Sequence, residues 1–125
     1  SAAVATDCVA EAAVVGVPDD LKGEAIILFA ILKNGYTPND ELKRNVSRTI
    51  RRLAGPHVTP REIYFIDKLP KTRSGKIMRR VLKSLVMGAS VGDVSTIEDE
   101  ASIEEIRIVY NEFKNIVKVP EQKNA

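Results

Sequence analysis

Cysteine and long apolar runs are the features that this sequence has least of. The single cysteine, Cys8, has no partner for an internal disulfide, and its alanine- and valine-rich surroundings predict a buried side chain. No apolar run approaches the ~18–20 residues that a membrane-spanning helix needs. The opening residues, S-A-A-V-A-T-D-C, lack the basic stretch of a secretory signal peptide. These absences predict a cytoplasmic location and no membrane contact.

Net charge is small as well, at +2 over 125 residues, so total charge indicates no class of partner. The placement of the charges is more informative. Residues 43–83 hold 13 of the 19 basic residues and only two acids, Glu62 and Asp67. From Asp93 to Glu112 the balance reverses, with seven acids and one base. The first region is therefore suited to binding anions, and the second is not.

Local patterns predict an α+β fold, a small three-stranded sheet with helices packed on it. The length and the apolar fraction of 44% are sufficient for one domain with a hydrophobic core. Short runs of β-branched and aromatic residues predict three strands, the first two of them antiparallel. These runs are Ala12–Val17, Ala25–Leu32 and Glu62–Asp67.

Helical spacing of apolar residues predicts three helices. We expect the first to begin with Thr37 as N-cap and Pro38 at N1, and to end at Gly55-Pro56. The second is expected at Ile77–Met87. The third, at about 102–118, opens with a capping box that joins Ser102 to Glu105. Its apolar stripe comprises Ile103, Ile106, Tyr110, Phe113 and Val117.

These elements suggest a single domain over residues 1–125. The core is expected at about 9–90, followed by a polar linker at 91–101 and a C-terminal amphipathic helix at about 102–118.

The most basic stretch is Leu69–Lys83, which reads L-P-K-T-R-S-G-K-I-M-R-R-V-L-K and holds six cations and no acid. Its Gly-Lys pair invites comparison with a Walker A loop. That pattern needs glycine where Pro70 stands and a hydroxyl where Ile77 stands. The stretch therefore cannot enclose a nucleotide phosphate by itself.

A second interpretation uses one lysine on a turn. Pro70 fixes the chain before the bend, Ser74-Gly75 allows it, and a helix beyond anchors it, so Lys76 projects. Such an ammonium could enter an anionic site from outside. There it would ease the approach of two anions by ~4 kcal/mol at ~4 Å in a partly desolvated cleft. The alternative at this point is a solvated lysine on a basic turn.

A stand-alone basic module that binds nucleic acid or a protein partner is the competing function. Single-strand binders interleave aromatic residues among their cations, whereas Tyr64 and Phe65 here are consecutive in a strand, so one must point inward. The surface of such a module would comprise Arg44, Arg48, Arg51, Lys76 and Arg79.

Four segments resemble the C-terminal domain of AMP-forming acetyl-CoA synthetases, a family of adenylate-forming enzymes. P-K-T-R-S-G-K-I-M-R-R (Pro70–Arg80) is similar to the last core motif of that superfamily. The resemblance covers roughly Ala10 to Ile106, and the motifs are specific in combination. The other three segments are Glu11–Ala25, Gly55–Pro70 and Gly92–Glu100.

The resemblance implies a lid domain. The whole enzyme would join acetate and ATP into acetyl-AMP and then transfer the acetyl group to coenzyme A. A separate N-terminal AMP-binding domain, absent from this chain, would bind ATP, AMP and Mg²⁺. The lid would close over it in two orientations, and Lys76 would assist adenylation in the first. This polypeptide alone is then expected to be inactive. Acetate is the expected acyl substrate, inferred only from the subgroup-like motifs, and propionate is the alternative.

The resemblance also implies two further roles. Arg51 is the candidate contact for the 3′-phosphate of coenzyme A, with Arg44 and Arg48 less directly indicated. Lys76 is the expected target of a protein lysine acetyltransferase and a sirtuin-type deacetylase, since Pro70, Lys71, Gly75 and Lys76 fit the P-K-x-x-x-G-K context of that modification in the family. Acetylation would remove the charge on which adenylation depends. No nucleic acid, membrane or metal ligand set is expected for this chain itself.

Overall fold

A computed structural model describes residues 2–19 and 23–111, and it confirms the α+β class. Strands β1 (Val9–Asp19) and β2 (Gly23–Leu32) come first, and helix α1 (Asp40–Ala54) follows them. Next come strand β3 (Glu62–Phe65) and helix α2 (Arg79–Met87). Helix α3 occupies residues 101–111. Short 3₁₀ turns lie at Ala2–Ala5 and Pro56–Val58.

The sheet has the order β1-β2-β3. β1 pairs antiparallel with β2, as predicted, and β2 pairs parallel with β3. A parallel pair needs a crossover connection, and α1 supplies it. β1 is longer than predicted because Pro18, expected to end it, lies within it and pairs with Glu24. Proline is tolerated there because β1 is an edge strand.

The two faces of the sheet bury separate hydrophobic clusters, because successive side chains of a strand point to opposite sides. The α1 face is covered by α1, and Leu28 and Ala30 pack there against Val46 and Ile50. The α2 face is covered by α2, α3 and apolar residues of the 91–97 segment. Its buried residues include Val15, Ile27, Phe29, Tyr64, Leu82, Ile97 and Ile106.

Helix α1 begins two residues later than predicted, at Asp40 rather than at Pro38. Asn39, not Thr37, is the N-cap: its Oδ1 accepts the Leu42 amide at 2.8 Å. The Asn39 side chain also donates to the Thr37 carbonyl at 3.3 Å. The predicted end is confirmed, since Gly55 caps the helix with φ 99°. A positive φ of this kind favours glycine over residues with a Cβ.

Helix α2 begins at Arg79 rather than at Ile77. The backbone of Ile77 is already paired with Lys71, and the Met78 amide donates to the Pro70 carbonyl at 2.8 Å. These bonds hold the two residues in an extended ribbon, so the helix can start only after them.

The capping box predicted for α3 is wrong. Ser102 is already inside the helix, and its hydroxyl donates to the Asp99 carbonyl at 2.7 Å. The Asp99 carboxylate instead accepts the Ala101 amide at 3.0 Å. Glu105 does not return to Ser102 but accepts the amide of Asp67 at 2.8 Å. This side chain therefore ties α3 to the end of β3.

The predicted burial of Cys8 is confirmed, as is that of Ile103, Ile106 and Tyr110 on α3. Phe113 and Val117, the last members of that stripe, lie outside the described residues. Across residues 2–19 and 23–111, no helix combines the length and hydropathy needed to cross a bilayer.

Candidate functional site

The basic stretch forms a narrow two-stranded hairpin at Pro70–Met78, which we call the lysine hairpin. Lys71 pairs with Ile77 across it. The Thr72 amide donates to the Lys76 carbonyl at 2.8 Å, and the Met78 amide closes the base on Pro70. Backbone bonds along both strands therefore fix the course of the chain on each side of the bend.

Thr72 organises the bend. Its carbonyl accepts the Gly75 amide at 2.9 Å, and its hydroxyl accepts the Lys76 amide at 3.1 Å. The same hydroxyl lies 3.0 Å from the hydroxyl of Ser74. Gly75 has φ 94°, where a side chain would be strained. The sequence indicated the role of Ser74-Gly75 but not that of Thr72.

Lys76 lies at the exposed end of this bend. Within the described ranges, no acidic side chain forms an ion pair with it. The neighbouring lysines differ, since Lys71 pairs with Glu11 and Lys68 lies 3.1 Å from Asp99. Hydrogen bonding to Lys68 lowers the pKa of the Asp99 carboxyl. Lys76 therefore presents an unneutralised positive charge at the end of a hydrogen-bonded element.

A segment interpreted from sequence as a polar linker lies against the hairpin. The Arg73 amide donates to the Thr96 carbonyl at 3.1 Å, and the Glu98 amide donates to the Lys71 carbonyl at 2.8 Å. Ile97 is only 4% exposed and joins the core of the α2 face. An isoleucine among acids was the available signal for this packing, and sequence reasoning missed it.

Arg51 lies in the last turn of α1 and is exposed. Its carbonyl accepts the Gly55 amide at 3.0 Å, and this bond terminates the helix. Arg44 and Arg48 are also exposed, but the Arg48 guanidinium donates to the Asn45 side chain at 2.8 Å. Arg48 and Arg52 line an open groove of about 640 Å³ beside residues 5–8, and Arg51 does not.

The structure does not bring the candidate cations together. Arg51 belongs to the helix that covers the α1 face. Leu69, Ile77 and Met78 of the lysine hairpin and its approach pack on the α2 face. The five cations of the competing basic module are therefore divided between elements on opposite sides of the sheet.

Tyr64 is the aromatic residue that points inward. Its ring packs 5.5 Å from that of Phe29 and 5.3 Å from that of Tyr110, measured between centroids. Its hydroxyl donates to Glu62 at 2.8 Å. Burial, followed by this hydrogen bond, raises the pKa of Tyr64 well above its ordinary value. A ring held in this way is a core residue rather than a platform for stacking bases.

The described part of the chain has no group of three or more His, Cys, Asp or Glu side chains arranged to hold a metal ion. The Mg²⁺ implied by the resemblance thus finds no ligand set among residues 2–19 and 23–111.

Residues 1–76 match the family described as AMP-binding enzyme C-terminal domain. The chain is 56% identical over 114 residues to the acetyl-coenzyme A synthetase of Pyrobaculum arsenaticum, covering 91% of this chain and 17% of that protein. It is 58% identical over 106 residues to the 3-hydroxypropionyl-coenzyme A synthetase of Sulfurisphaera tokodaii, covering 85% of this chain and 16% of that protein. The chain thus spans about a sixth of the length of these relatives.

Solved structures agree with this match. The acyl-CoA synthetase of Brucella canis superimposes with a TM-score of 0.62 and 41% identity, over 65% of this chain and 15% of that one. Acetoacetyl-CoA synthetase from Streptomyces lividans superimposes with a TM-score of 0.74 over 89% of this chain and 17% of that one. At 23% identity, the second likeness concerns the fold alone. The sequence match and the shared fold lead to one conclusion: the chain belongs to the AMP-binding enzyme C-terminal domain family.

Proposed function

We propose that this chain is the lid domain of an AMP-forming acyl-CoA synthetase of the acetyl-CoA synthetase type. Relatives named acetyl-coenzyme A synthetase, 47–56% identical over most of the chain, support this assignment. Because the chain spans only about a sixth of those proteins, the rest of the enzyme would supply most of the active site. The chain alone is expected to lack synthetase activity.

The observation that carries the proposal is the position of Lys76. Its charge is exposed at the end of a hydrogen-bonded bend, and no described acid neutralises it. When the acyl carboxylate attacks the α-phosphate of ATP, two anions must approach each other. A cation placed between them in a partly desolvated cleft offsets their repulsion. A positioned donor of this kind typically changes rates by ~10²–10³-fold.

The second half-reaction would use the other side of the domain. We assign to Arg51 the contact with the 3′-phosphate of coenzyme A, because a guanidinium forms paired, charge-assisted bonds to phosphate. Lys76 and Arg51 lie on elements that pack against opposite faces of the sheet. Two orientations of the lid, used one after the other, could present each cation in turn. Gating by a moving element of this kind is common among enzymes.

Substrates would be divided between the lid and the rest of the enzyme. ATP, AMP and Mg²⁺ are assigned mainly to the N-terminal domain, and the chain supplies one cation to each half-reaction. Acetate is the proposed acyl substrate. Propionate is the alternative, and the relative named 3-hydroxypropionyl-coenzyme A synthetase adds 3-hydroxypropionate as a third candidate. A cytoplasmic location stays a prediction.

Lys76→Ala in the full-length enzyme tests the proposal. Acetate-dependent exchange of pyrophosphate into ATP should fall ~10²–10³-fold, because the carboxylate and the α-phosphate lose the cation between them. Acetyl transfer from supplied acetyl-AMP to coenzyme A should survive. Lys83→Ala, an exposed cation on α2, is the matched control and should leave both reactions unchanged.

An equal loss of both half-reactions in Lys76→Ala would make Lys76 a structural residue and end the proposal. Tight, steeply salt-dependent binding of an oligonucleotide to the chain would favour the basic module instead.

Lysine acetylation is the proposed regulation of this site. Lys76 is exposed and without an acidic partner among the described residues, whereas Lys71 is half-buried and paired with Glu11. A protein acetyltransferase should therefore modify Lys76 in preference to Lys71, and a sirtuin-type deacetylase should restore it. Mass spectrometry of the treated enzyme checks this. Preferential modification of Lys71, or an acetylated Lys76 that leaves adenylation intact, would contradict it.

A further inference from the structure

Arg80, in the first turn of α2, forms a clamp on the segment that follows the helix. Its Nη1 donates to the carbonyl of Val91, and its Nη2 donates to the carbonyl of Asp93 at 2.7 Å. Gly92, between these carbonyls, has φ 67°, and a Cβ there would lie 3.6 Å from Nη1. The turn at 91–93 therefore wraps closely around one guanidinium.

The clamped turn directs the chain along the lysine hairpin. The Asp93 carboxylate accepts the Ser95 amide at 2.9 Å, and the Ile97 amide donates to the Val94 carbonyl at 3.0 Å. These local bonds set the path by which Thr96 and Glu98 reach their hydrogen bonds to the hairpin.

The first strand of the hairpin, which holds Thr72, consequently has a neighbour on each side. On one side the Thr72 amide bonds to Lys76, and on the other Thr72 pairs with Ile97. An ion pair of 3.1 Å between Lys68, just before the hairpin, and Asp99, just after Glu98, adds a further contact between the hairpin and the 91–99 segment. A two-stranded ribbon alone is marginally stable in water, and a third strand with an apolar anchor stabilises it. Ile97 provides that anchor on the α2 face.

We infer that residues 91–99 form a brace that fixes the direction of the lysine hairpin, and that Arg80 is the positioning residue that holds the brace. This inference rests on the proposed role of Lys76 in adenylation. The brace lies beyond the residues 1–76 matched by the family. Arg80 acts through the brace and not on substrate, so its effect should be confined to the half-reaction that uses Lys76.

Arg80→Ala in the full-length enzyme tests the inference, with Lys83→Ala, one turn further along α2, as the matched control. We expect acetate-dependent pyrophosphate exchange to fall about tenfold, since small errors in placing a catalytic group are costly. Transfer from supplied acetyl-AMP should stay within about twofold of wild type. Hydrogen exchange at the amides of Arg73 and Glu98 should accelerate, because both amides bond across the contact between the hairpin and residues 91–99, and this contact would open more often.

Glu98→Pro provides a second variant that leaves Arg80 in place. Proline removes the backbone N–H that donates to the Lys71 carbonyl, together with the side chain of Glu98, which is exposed. Ile97 before it is already extended in its bridge, as a residue preceding proline prefers. Glu98→Ala removes the side chain but keeps the amide, and is the control. Glu98→Pro should reproduce the loss of exchange, and Glu98→Ala should not.

Three results would overturn the brace. They are wild-type pyrophosphate exchange in both Arg80→Ala and Glu98→Pro, an equal loss of both half-reactions, or unchanged hydrogen exchange at Arg73 in Arg80→Ala. Lys76→Ala separates this failure from failure of the proposed function. If Lys76→Ala abolishes adenylation while the brace variants do not affect it, only the brace is wrong. If Lys76→Ala has no effect, the role of Lys76 itself is wrong.

Discussion

The two faces of the sheet each support one candidate cation, but they position it in different ways. On the α1 face, Arg51 belongs to a helix of 15 residues whose hydrogen bonds and caps are local in sequence. On the α2 face, Lys76 depends on contacts from distant parts of the chain. Lys71 forms an ion pair with Glu11, and the backbone of Thr72 pairs with that of Ile97. The position of Arg51 is therefore set by local sequence, and that of Lys76 by tertiary packing.

This difference matches what each cation would have to do. A phosphate at a surface can be met by a long, flexible guanidinium at a helix end, so a small error in direction is tolerated. A cation between two reacting anions must be held closely, because its benefit falls with distance. The more heavily packed face therefore supports the more demanding role.

Core substitutions on the two faces test this difference most strongly. Leu82→Ala on the α2 face should cost about 2–5 kcal/mol of unfolding free energy, and Val46→Ala on the α1 face about 1–3 kcal/mol. Both side chains are fully buried. Urea unfolding of the 125-residue chain measures the costs. Hydrogen exchange should show faster opening of the lysine hairpin in Leu82→Ala only. Equal loosening by Val46→Ala would mean that the hairpin does not depend on its own face.

Arg51→Ala should have a smaller and more selective effect. Losing a charge-assisted bond of ~1.5–3 kcal/mol should raise the KM for coenzyme A by about 10- to 150-fold. Pyrophosphate exchange should be unaffected, because Arg51 lies on the face opposite the hairpin. Arg52→Ala, at the next position, is the control and should change the KM by less than about twofold. Steady-state kinetics with varied coenzyme A measure both. An unchanged KM in Arg51→Ala would remove Arg51 from the site.

Several features could be predicted from sequence because they depend on neighbouring residues. Gly55-Pro56 ends α1, and β-branched runs form the strands, as expected. Several predicted ends of helices and strands were wrong by two or three residues, in the case of α1 because two side chains compete for the same role. Thr37 and Asn39 are both suitable N-caps, and only the bond from the Leu42 amide selects Asn39. The roles of Lys76 and Arg51 came from a family resemblance and remain predictions.

Local sequence was sufficient to specify which segments are strands and helices, and to predict an exposed lysine beside Gly75 on a bend. These properties follow from side-chain periodicity and from the backbone preferences of glycine and proline, which act over a few residues. Three features depend on long-range packing: β3 runs parallel to β2, Lys76 and Arg51 belong to opposite faces, and Ile97 lies beside Thr72. Such pairs join residues far apart in the chain, and many partners could satisfy the same local pattern. The choice among them depends on which packing buries the most apolar surface while satisfying the backbone hydrogen bonds.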